Sequence, residues 1–283
     1  MLSALARPSV ARVYDYYLGG TNNWVVDRDF GDQVLDTFPQ MRKVARANRL
    51  FLDRVVRFLT KRGIRQFLDV GAGVPGAGCT HRIADELAEY HGREPDTRVV
   101  YVDNDPVAVA YAQLILDQEG DQNRHSVIEA DLRDPAELWA QAVDTGLLDP
   151  AQPVALLLVA LLHIEQPDAS GIDVGPESVA RLYEHLPAGS YVAVSHMTND
   201  GVPGEVSDRL LDLRHLYAPT CISVNWRSHA KIEALLDDLD VVGPGWQWVT
   251  EWRPEETGPS APTVSFPTPA HAAVWAGVGQ KPY

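Results

Sequence analysis

The residues best suited to chemistry are an acid and the glycines that follow it. Asp69 closes an apolar run and stands two residues before Gly71, and Gly73 and Gly76 complete a Gly-x-Gly-x-x-Gly pattern. Glycines at this spacing let the backbone turn tightly and approach a ligand with no Cβ in the way. The carboxylate would repel a pyrophosphate, but it would pair with a cationic amino group. The pattern therefore predicts a strand, a ligand-binding loop and a helix.

Further acids stand at the ends of the next two predicted strands. Asp103 ends the second strand, and Asp131 and Leu132 follow the third. Because the carboxyl ends of parallel strands meet at one edge of a sheet, we expect these residues near the glycine turn. The dinucleotide fingerprint also requires an acid at the end of the second strand, and an acceptor beside a backbone amide after the third strand suits an adenine edge. A ligand containing a nucleoside is predicted, with a nicotinamide dinucleotide as the alternative.

An aromatic and polar segment comes before the predicted sheet. Ser9 is expected to cap a short helix that ends at Gly19 and Gly20, because glycine readily adopts the left-handed conformation of a helix C-cap. Polar side chains cluster beside this break, and we interpret them as a lid over a polar ligand, with packing on the core as the alternative. They are Tyr14, Asp15, Tyr17, Asn22 and Asn23.

From residue 66 onward, predicted strands alternate with predicted helices, which indicates a mostly parallel sheet. His163 and His196 end the predicted fourth and fifth strands, and residues 197–227 interrupt the alternation, as a substrate-facing segment would. Before the sheet, a helix carries the main concentration of basic residues, which we interpret as a solvated face: Arg42, Lys43, Arg46, Arg49 and Arg54.

Charge and cysteine content narrow the function classes. With 24 basic and 39 acidic residues the formal charge is −15, so the mean field repels nucleic acid. There is no apolar run long enough for a membrane span, and the first seven residues lack the apolar core of a signal peptide. Cys79 and Cys221 are too few for a disulfide scaffold or a CxxC zinc site, and no metal site is expected. We expect a cytoplasmic protein with reduced thiols that acts on a small molecule.

These motifs resemble the class I S-adenosylmethionine-dependent methyltransferases. In particular they resemble a largely uncharacterised actinobacterial family, over about residues 7–280. The resemblance rests on residues 9–20 (SVARVYDYYLGG), 64–71 (IRQFLDVG), 99–106 (VVYVDNDP) and 188–196 (AGSYVAVSH). The sequence departs from the family pattern at Thr21, Asn22, Ala72 and Cys79.

The resemblance implies an α/β fold with a Rossmann-like, doubly wound, seven-stranded and mostly parallel sheet whose last strand is antiparallel. Residues 1–62 would form a helical lid, and residues 63–283 the methyltransferase domain, with a substrate-side insertion around 197–227. S-adenosylmethionine would be the cofactor, held at the methionine end by Asp69 and the backbone of Gly71, Ala72 and Gly73. Asp103 would bind the ribose. The remaining predicted contacts are Asn104, Asp131 and Leu132 at the adenine and Tyr14, Tyr17, Gly19 and Asn22 in the lid.

Methyl transfer needs a base only if the acceptor is protonated, because the sulfonium is already activated. His163 and His196 are the candidate bases, and a structural role for each is the alternative. The acceptor is expected to be a small molecule, and a homodimer is the assembly considered. Two other functions stay open at this point, a non-catalytic S-adenosylmethionine sensor and an NAD-dependent oxidoreductase.

Overall fold

The structure is a computed structural model that describes residues 7–76, 78–220 and 222–283. The expectations for the first six residues and for the thiol of Cys221 lie outside the described residues. Cys79 is described, and its thiol is buried at the start of a helix.

A single mixed β-sheet forms the centre of the described chain. Its strands are β1 (Gln66–Val70), β2 (Arg98–Asp103), β3 (His125–Glu129), β4 (Ala155–Val159), β5 (Tyr191–Met197), β6 (Asp240–Val241), β7 (Gln247–Trp248) and β8 (Val274–Gln280). The strand order is β3-β2-β1-β4-β5-β8-β6, and the first five strands are parallel. β8 runs antiparallel to β5 over its whole length.

The last position in the sheet is shared by two short strands. β6 pairs with the C-terminal end of β8, and β7 pairs with residues nearer its start, both antiparallel. Since β5 occupies the other edge of β8, β6 and β7 lie side by side along one edge, with the turn Gly243-Pro244-Gly245 between them. The predicted seven-position sheet with an antiparallel last strand is confirmed, and its outermost position is divided in two.

Strand β4 is shorter than its apolar sequence predicts. The run continues to His163, but the strand ends at Val159, because Ala160 adopts a left-handed φ of 59°. The Ala160 N–H donates to Ser195 Oγ at 2.9 Å, which fixes this turn against the end of β5. His163 therefore belongs to a loop beyond the sheet.

The α-helices lie on both faces and at the N-terminal end. They are α1 (Val10–Leu18), α2 (Val25–Thr37), α3 (Met41–Lys61), α4 (Thr80–Tyr90), α5 (Pro106–Glu119), α6 (Pro135–Asp144), α7 (Gly175–His185), α8 (Gly204–Tyr217) and α9 (His229–Glu233). None of the helices in the described ranges is both long enough and apolar enough to cross a bilayer.

The three N-terminal helices share one hydrophobic core with the sheet. Val13 of α1, Phe38 after α2 and Phe51 of α3 belong to the same buried cluster as Phe67 of β1 and Val278 of β8. The predicted boundary at residue 62 therefore separates a helical segment from the sheet, but both pack into one hydrophobic core.

A buried ion pair anchors α1. The Arg12 side chain is 1% exposed, and its Nε lies 2.7 Å from Asp27 Oδ2. Ser9 occupies the N-cap position of α1, but its hydroxyl donates to Asp105 Oδ2 at 2.6 Å and does not cap the helix as the sequence suggests. Asp27 lies at the third position of α2 and accepts from the Trp24 N–H. These contacts hold α1 against the end of β2.

Candidate active site

A cavity of about 430 Å³ opens beyond the carboxyl ends of β1, β2, β4 and β5, and α1 and α3 complete its wall. This is the edge at which open α/β sheets bind ligands, where the strand order reverses. Its volume falls in the range of about 300–1,000 Å³ that is common for ligand pockets.

The glycine loop after β1 forms the floor of the cavity. Gly71 and Gly73 have φ values of 71° and 64°, which favour glycine. A Cβ on Gly71 would meet Leu161 Cδ1 at 2.5 Å, so this position also lacks space for a side chain. The N–H groups of Gly71 and Ala72 donate to Val102 O at 2.8 and 3.1 Å, which fixes the loop against β2. The loop thus lines the cavity with backbone, as its sequence predicts.

Asp69 lies in the cavity wall directly before this loop. Its carboxylate is buried, and Oδ2 accepts from Thr80 Oγ1 at 2.7 Å. Burial raises the pKa of Asp69 to about 6, although the hydrogen bond from Thr80 and the positive charge of Arg49 oppose the shift. A cationic ligand group beside this carboxyl would stabilise its ionised form and offset the cost of burying its charge.

Arg49 on α3 lines the same cavity, although its sequence pattern indicated a solvated face and no ligand-binding role. Its Nε is buried without a hydrogen-bond partner, and no carboxylate of the described residues lies within ion-pair distance. The interpretation of the basic residues of α3 as a solvated face is wrong here, and it is wrong for Arg54, which is buried and donates to Val249 O. The signal that could have located Arg49 is its place one residue after buried Asn48 on an otherwise apolar helix face.

Asp103 joins the end of β2 to the glycine loop. Its Oδ2 accepts from the Gly73 N–H at 2.8 Å, and its Oδ1 accepts from the Asp105 N–H at 2.9 Å. Burial raises the pKa of Asp103, and these backbone hydrogen bonds oppose the shift. Each oxygen retains a lone pair for a ligand hydroxyl. Asn104 lies beside it in the cavity wall.

Some of the residues that follow β3 line the cavity, and one of them does not. Ala130 and Leu132 line the cavity, and Asp131 does not. The Asp131 carboxylate is held by the Arg133 guanidinium, with 2.5 Å between Oδ2 and Nη2. These charge-assisted hydrogen bonds lower the pKa of Asp131, against the effect of its partial burial. Of the two adenine contacts predicted after β3, the structure therefore brings only Leu132 to the cavity.

The predicted lid places its aromatic residues at the cavity and its turn residues away from it. Tyr14 and Tyr17 of α1 line the cavity, whereas Gly19 and Asn22 do not. The turn is held by Asp15, whose Oδ2 accepts from the Asn22 N–H at 2.9 Å. Gly19 is the left-handed C-cap of α1, with φ of 85°.

A chain of hydrogen bonds connects α1, α3 and β5 in the cavity wall. Ser195 Oγ donates to Asn48 Oδ1, Asn48 Nδ2 donates to the Tyr14 hydroxyl at 3.2 Å, and that hydroxyl donates to Ala45 O at 3.1 Å. Burial raises the pKa of Tyr14. These groups already satisfy one another, so they position α1 on α3 and leave little capacity for a ligand.

The two candidate bases occupy different environments. His163 lines the cavity, and its Nδ1 is buried without a hydrogen-bond partner. Burial, with a smaller contribution from Arg227, lowers the pKa of His163 to about 4. His196 is 0% exposed and lies outside the cavity wall, with Nδ1 2.6 Å from Met197 O and Nε2 2.7 Å from Arg227 Nη1. The structure thus brings His163 to the cavity and does not bring His196 there.

The interrupting segment 197–227 contributes to the side of the cavity next to β4 and β5. Met197, Tyr217, Val224 and Trp226 lie in the wall, and the Trp226 ring centroid is 6.2 Å from that of His163. Trp226 Nε1 donates to Leu210 O at 2.7 Å, which fixes the ring against α8. This segment therefore supplies an apolar and aromatic wall.

Comparison with known proteins supports a single family. A family model described as S-adenosyl methyltransferase matches residues 4–282. A crystal structure of a protein from Thermobifida fusca YX, described as a candidate methyltransferase, is 31% identical with a TM-score of 0.81, and the match covers 98% of this chain and 96% of that one. A DUF574 family protein from Streptomyces avermitilis MA-4680 is 33% identical with a TM-score of 0.82 and 98% coverage of both chains. A search of curated proteins finds no match.

Proposed function

The chain belongs to the S-adenosyl methyltransferase family, and we propose that it transfers the methyl group to a small molecule bound in the cavity. It is an S-adenosylmethionine-dependent methyltransferase with the Rossmann-like fold. The family assignment disfavours the dehydrogenase alternative. The residue roles and the acceptor class that follow are proposals built on the geometry of the cavity.

The residues that line the cavity fit the charges of S-adenosylmethionine. Its amino-acid end carries one ammonium and one carboxylate. The wall offers one buried carboxyl, Asp69, and one guanidinium whose Nε has no hydrogen-bond partner, Arg49. The glycine loop exposes backbone between them. We assign the ammonium to Asp69 and the carboxylate to Arg49, because this arrangement pairs opposite charges and the reverse arrangement would place like charges together.

The nucleoside end fits the residues after β2 and β3. Asp103 is oriented by the N–H groups of Gly73 and Asp105, so its remaining lone pairs are held in place for the ribose hydroxyls. Asn104 lies beside it, and Ala130 and Leu132 present apolar surface for a flat base. Tyr14 and Tyr17 of α1 cover the cavity from the N-terminal side. Gly19 and Asn22 support this cover through the turn, and Asp131 supports the rim through Arg133.

When bound, the cofactor supplies a methyl group on a positively charged sulfur, which leaves readily as a neutral thioether. The protein must hold the acceptor at attack distance, keep water out and receive a proton where the acceptor carries one. His163 is neutral at pH 7 because its pKa is lowered to about 4, so its ring can accept a proton. Since Nδ1 is buried, Nε2 is the atom we assign to this role. His196 has partners for both ring nitrogens, and we assign it a structural role.

The observation that carries this proposal is the joint presence of Asp69 and Arg49 in one cavity beside a glycine loop. Calorimetry with S-adenosylmethionine, S-adenosylhomocysteine and NAD tests it. The first two are expected to bind and NAD is not. Transfer of labelled methyl from S-adenosylmethionine to a panel of small molecules then tests catalysis, and binding without turnover across the panel would favour a sensor. A cytoplasmic location and an actinobacterial source are further proposals, supported by the two cysteines and by the sequence resemblance.

A further inference from the structure

One side of the cavity differs in chemistry from the side that holds the glycine loop. We call this side the acceptor half, and define it by Met41, His163, Met197, Tyr217, Val224 and Trp226. It lies beyond β4 and β5 and against the N-terminal end of α3 and the segment 197–227. Asp69, Asp103 and Arg49 belong to the other side, next to β1 and β2.

The six residues that define the acceptor half offer no charge to a charged ligand. They carry no acidic or basic group apart from the neutral ring of His163. Two charged residues lie close to it, and both have partners in the described structure. The Glu165 carboxylate accepts from the Ser223 hydroxyl, and the buried Arg227 guanidinium is paired with Asp173 and His196. A charged acceptor packed against these six residues would lose its hydration without gaining a partner.

Aromatic rings and thioethers dominate this wall. Trp226 and Tyr217 come from the segment 197–227, and the Trp226 ring is tilted by 32° to the ring of His163. Tyr217 packs edge-on against Phe30, with 5.0 Å between centroids, so its ring is held in place. Met41 and Met197 add polarizable sulfur, which makes favourable contacts with aromatic rings. Rigid rings and methionines favour a flat aromatic ligand over a saturated one.

Polar side chains are few in this half, and the Tyr217 hydroxyl lies against that of Tyr17. Asn48 and Ser195 lie at its edge but bond to each other and to Tyr14 and Ala160. The buried Nδ1 of His163 has no hydrogen-bond partner. A ligand with a single donor would satisfy this ring, whereas a ligand with several polar groups would leave most of them unpaired.

From these observations we infer that the acceptor half binds an uncharged aromatic compound with a single hydroxyl, which donates to the ring of His163. This inference rests on the proposed function, because it assumes that the cofactor occupies the other half. It names the acceptor class, and it can be tested by binding alone.

The test is calorimetric titration of the full-length protein, first with S-adenosylhomocysteine and then, at saturation, with four naphthalene-type probes. 2-Naphthol represents the inferred class. Decahydro-2-naphthol keeps the hydroxyl and loses the aromatic rings, while 2-naphthoate and 2-naphthylmethylammonium keep the rings and carry a charge. We expect 2-naphthol to bind with a Kd below about 1 mM, and each of the others to bind at least about tenfold more weakly.

Variants of Trp226 locate the binding to this wall. Trp226→Leu should weaken 2-naphthol about tenfold and leave the affinity for S-adenosylhomocysteine unchanged. Trp226→Phe is the matched control, because it also loses the hydrogen bond to Leu210 but keeps a ring, and it should stay within about threefold of the parent.

The binding results distinguish failure of this inference from failure of the proposed function. If a charged or saturated probe binds as tightly as 2-naphthol, or if 2-naphthol does not bind while S-adenosylhomocysteine does, this inference is wrong and the proposed function stands. If Trp226→Leu and Trp226→Phe both bind 2-naphthol like the parent, the site is misplaced. If S-adenosylhomocysteine itself does not bind, the proposed function fails and this inference fails with it.

Discussion

The imidazole rings of His163 and His196 lie 5.9 Å apart between centroids, yet only His163 reaches the cavity. His163 follows the turn at Ala160, which carries it beyond the end of β4. His196 lies on β5 between Ser195 and Met197, and both of these neighbours line the cavity. Because side chains alternate along a strand, His196 points to the opposite face. Two histidines that look equivalent in sequence therefore have different roles.

Replacing His163 by Ala is expected to lower turnover by about 10²–10⁴, because the acceptor proton loses its receiving group. The affinity for S-adenosylhomocysteine should barely change, since His163 lies outside the part of the cavity assigned to the cofactor. Single-turnover methyl transfer and calorimetry on the same preparation measure the two effects. Unchanged turnover would show that positioning alone carries the reaction.

His196→Ala is expected to act on stability. Its loss would leave the buried Nη1 of Arg227 with one acceptor fewer, which should lower the free energy of unfolding by about 1–3 kcal/mol. Urea denaturation measures this change, and His163→Ala is the matched comparison. A fully stable His196→Ala protein that has lost turnover would contradict the structural role.

Arg49→Met is expected to separate the two ends of the cofactor. Losing a charge-assisted hydrogen bond should weaken S-adenosylhomocysteine by about 10–100-fold, because its carboxylate would lose its partner. Methylthioadenosine lacks the amino-acid end and should bind the variant and the parent equally. Asp103→Asn is the control, since it should weaken both ligands. Equal losses for both ligands in Arg49→Met would refute the carboxylate assignment.

The affinity for S-adenosylhomocysteine is expected to rise with pH through about 6. An ammonium binds the ionised carboxylate, and the pKa of Asp69 in the unliganded protein is raised to about 6. Affinity at pH 5 should therefore be about tenfold below its plateau above pH 7.

The free energy of unfolding of the unliganded protein should change with pH in the opposite direction, because a raised pKa means that the folded state binds the proton of Asp69 more tightly than the unfolded chain does. The contribution of protonated Asp69 is complete below about pH 4 and is lost as pH rises through 6.

Asp69→Asn and Thr80→Val test the origin of this pH dependence. The Asn variant should bind weakly at every pH and show no rise near 6. The Val variant removes the hydrogen bond that lowers the pKa of Asp69, so its rise should move to higher pH. Calorimetric titrations between pH 5 and 8 give both curves. A rise that persists in Asp69→Asn would assign the titration to another group.

A buried pair of histidines is expected to make the protein sensitive to acid. His81 and His125 have ring centroids 4.4 Å apart, and burial lowers the pKa of each to about 4. Arg124 also lowers the pKa of His125, while Asp85 and Asp121 raise it. Since the unfolded chain binds protons near pH 6.5, stability present above 6.5 is lost as pH falls toward 4, by up to about 1.4 kcal/mol per pH unit for each ring.

His125→Asn tests this expectation, because its amide oxygen can replace Nδ1 as the acceptor of the Asp121 N–H. The free energy of unfolding, measured in urea between pH 4 and 7, should fall less steeply in the variant than in the parent. Parallel curves would show that His125 does not contribute to the loss.

The sequence by itself determined the sheet, the glycine loop and the cofactor class. An apolar run that ends in Asp69-x-Gly71-x-Gly73 specifies a strand and a tight turn through local conformational preference. Asp103 likewise ends an apolar strand, so the same pattern locates it. The order of these motifs along the chain was enough to indicate the family, because each occupies a fixed place relative to a strand.

Tertiary structure alone decided which polar groups line the cavity. Arg49 and Arg46 both lie on α3, but only the packing of that helix on α1 and α4 turns Arg49 into the cavity and leaves Arg46 exposed. Asp131 lies outside the cavity wall and pairs with Arg133, which lines it, and no local pattern predicts that side-chain direction. The early end of β4 depends on a hydrogen bond from Ala160 to Ser195, 35 residues away. These outcomes rest on contacts between distant segments, and local periodicity carries no information about them.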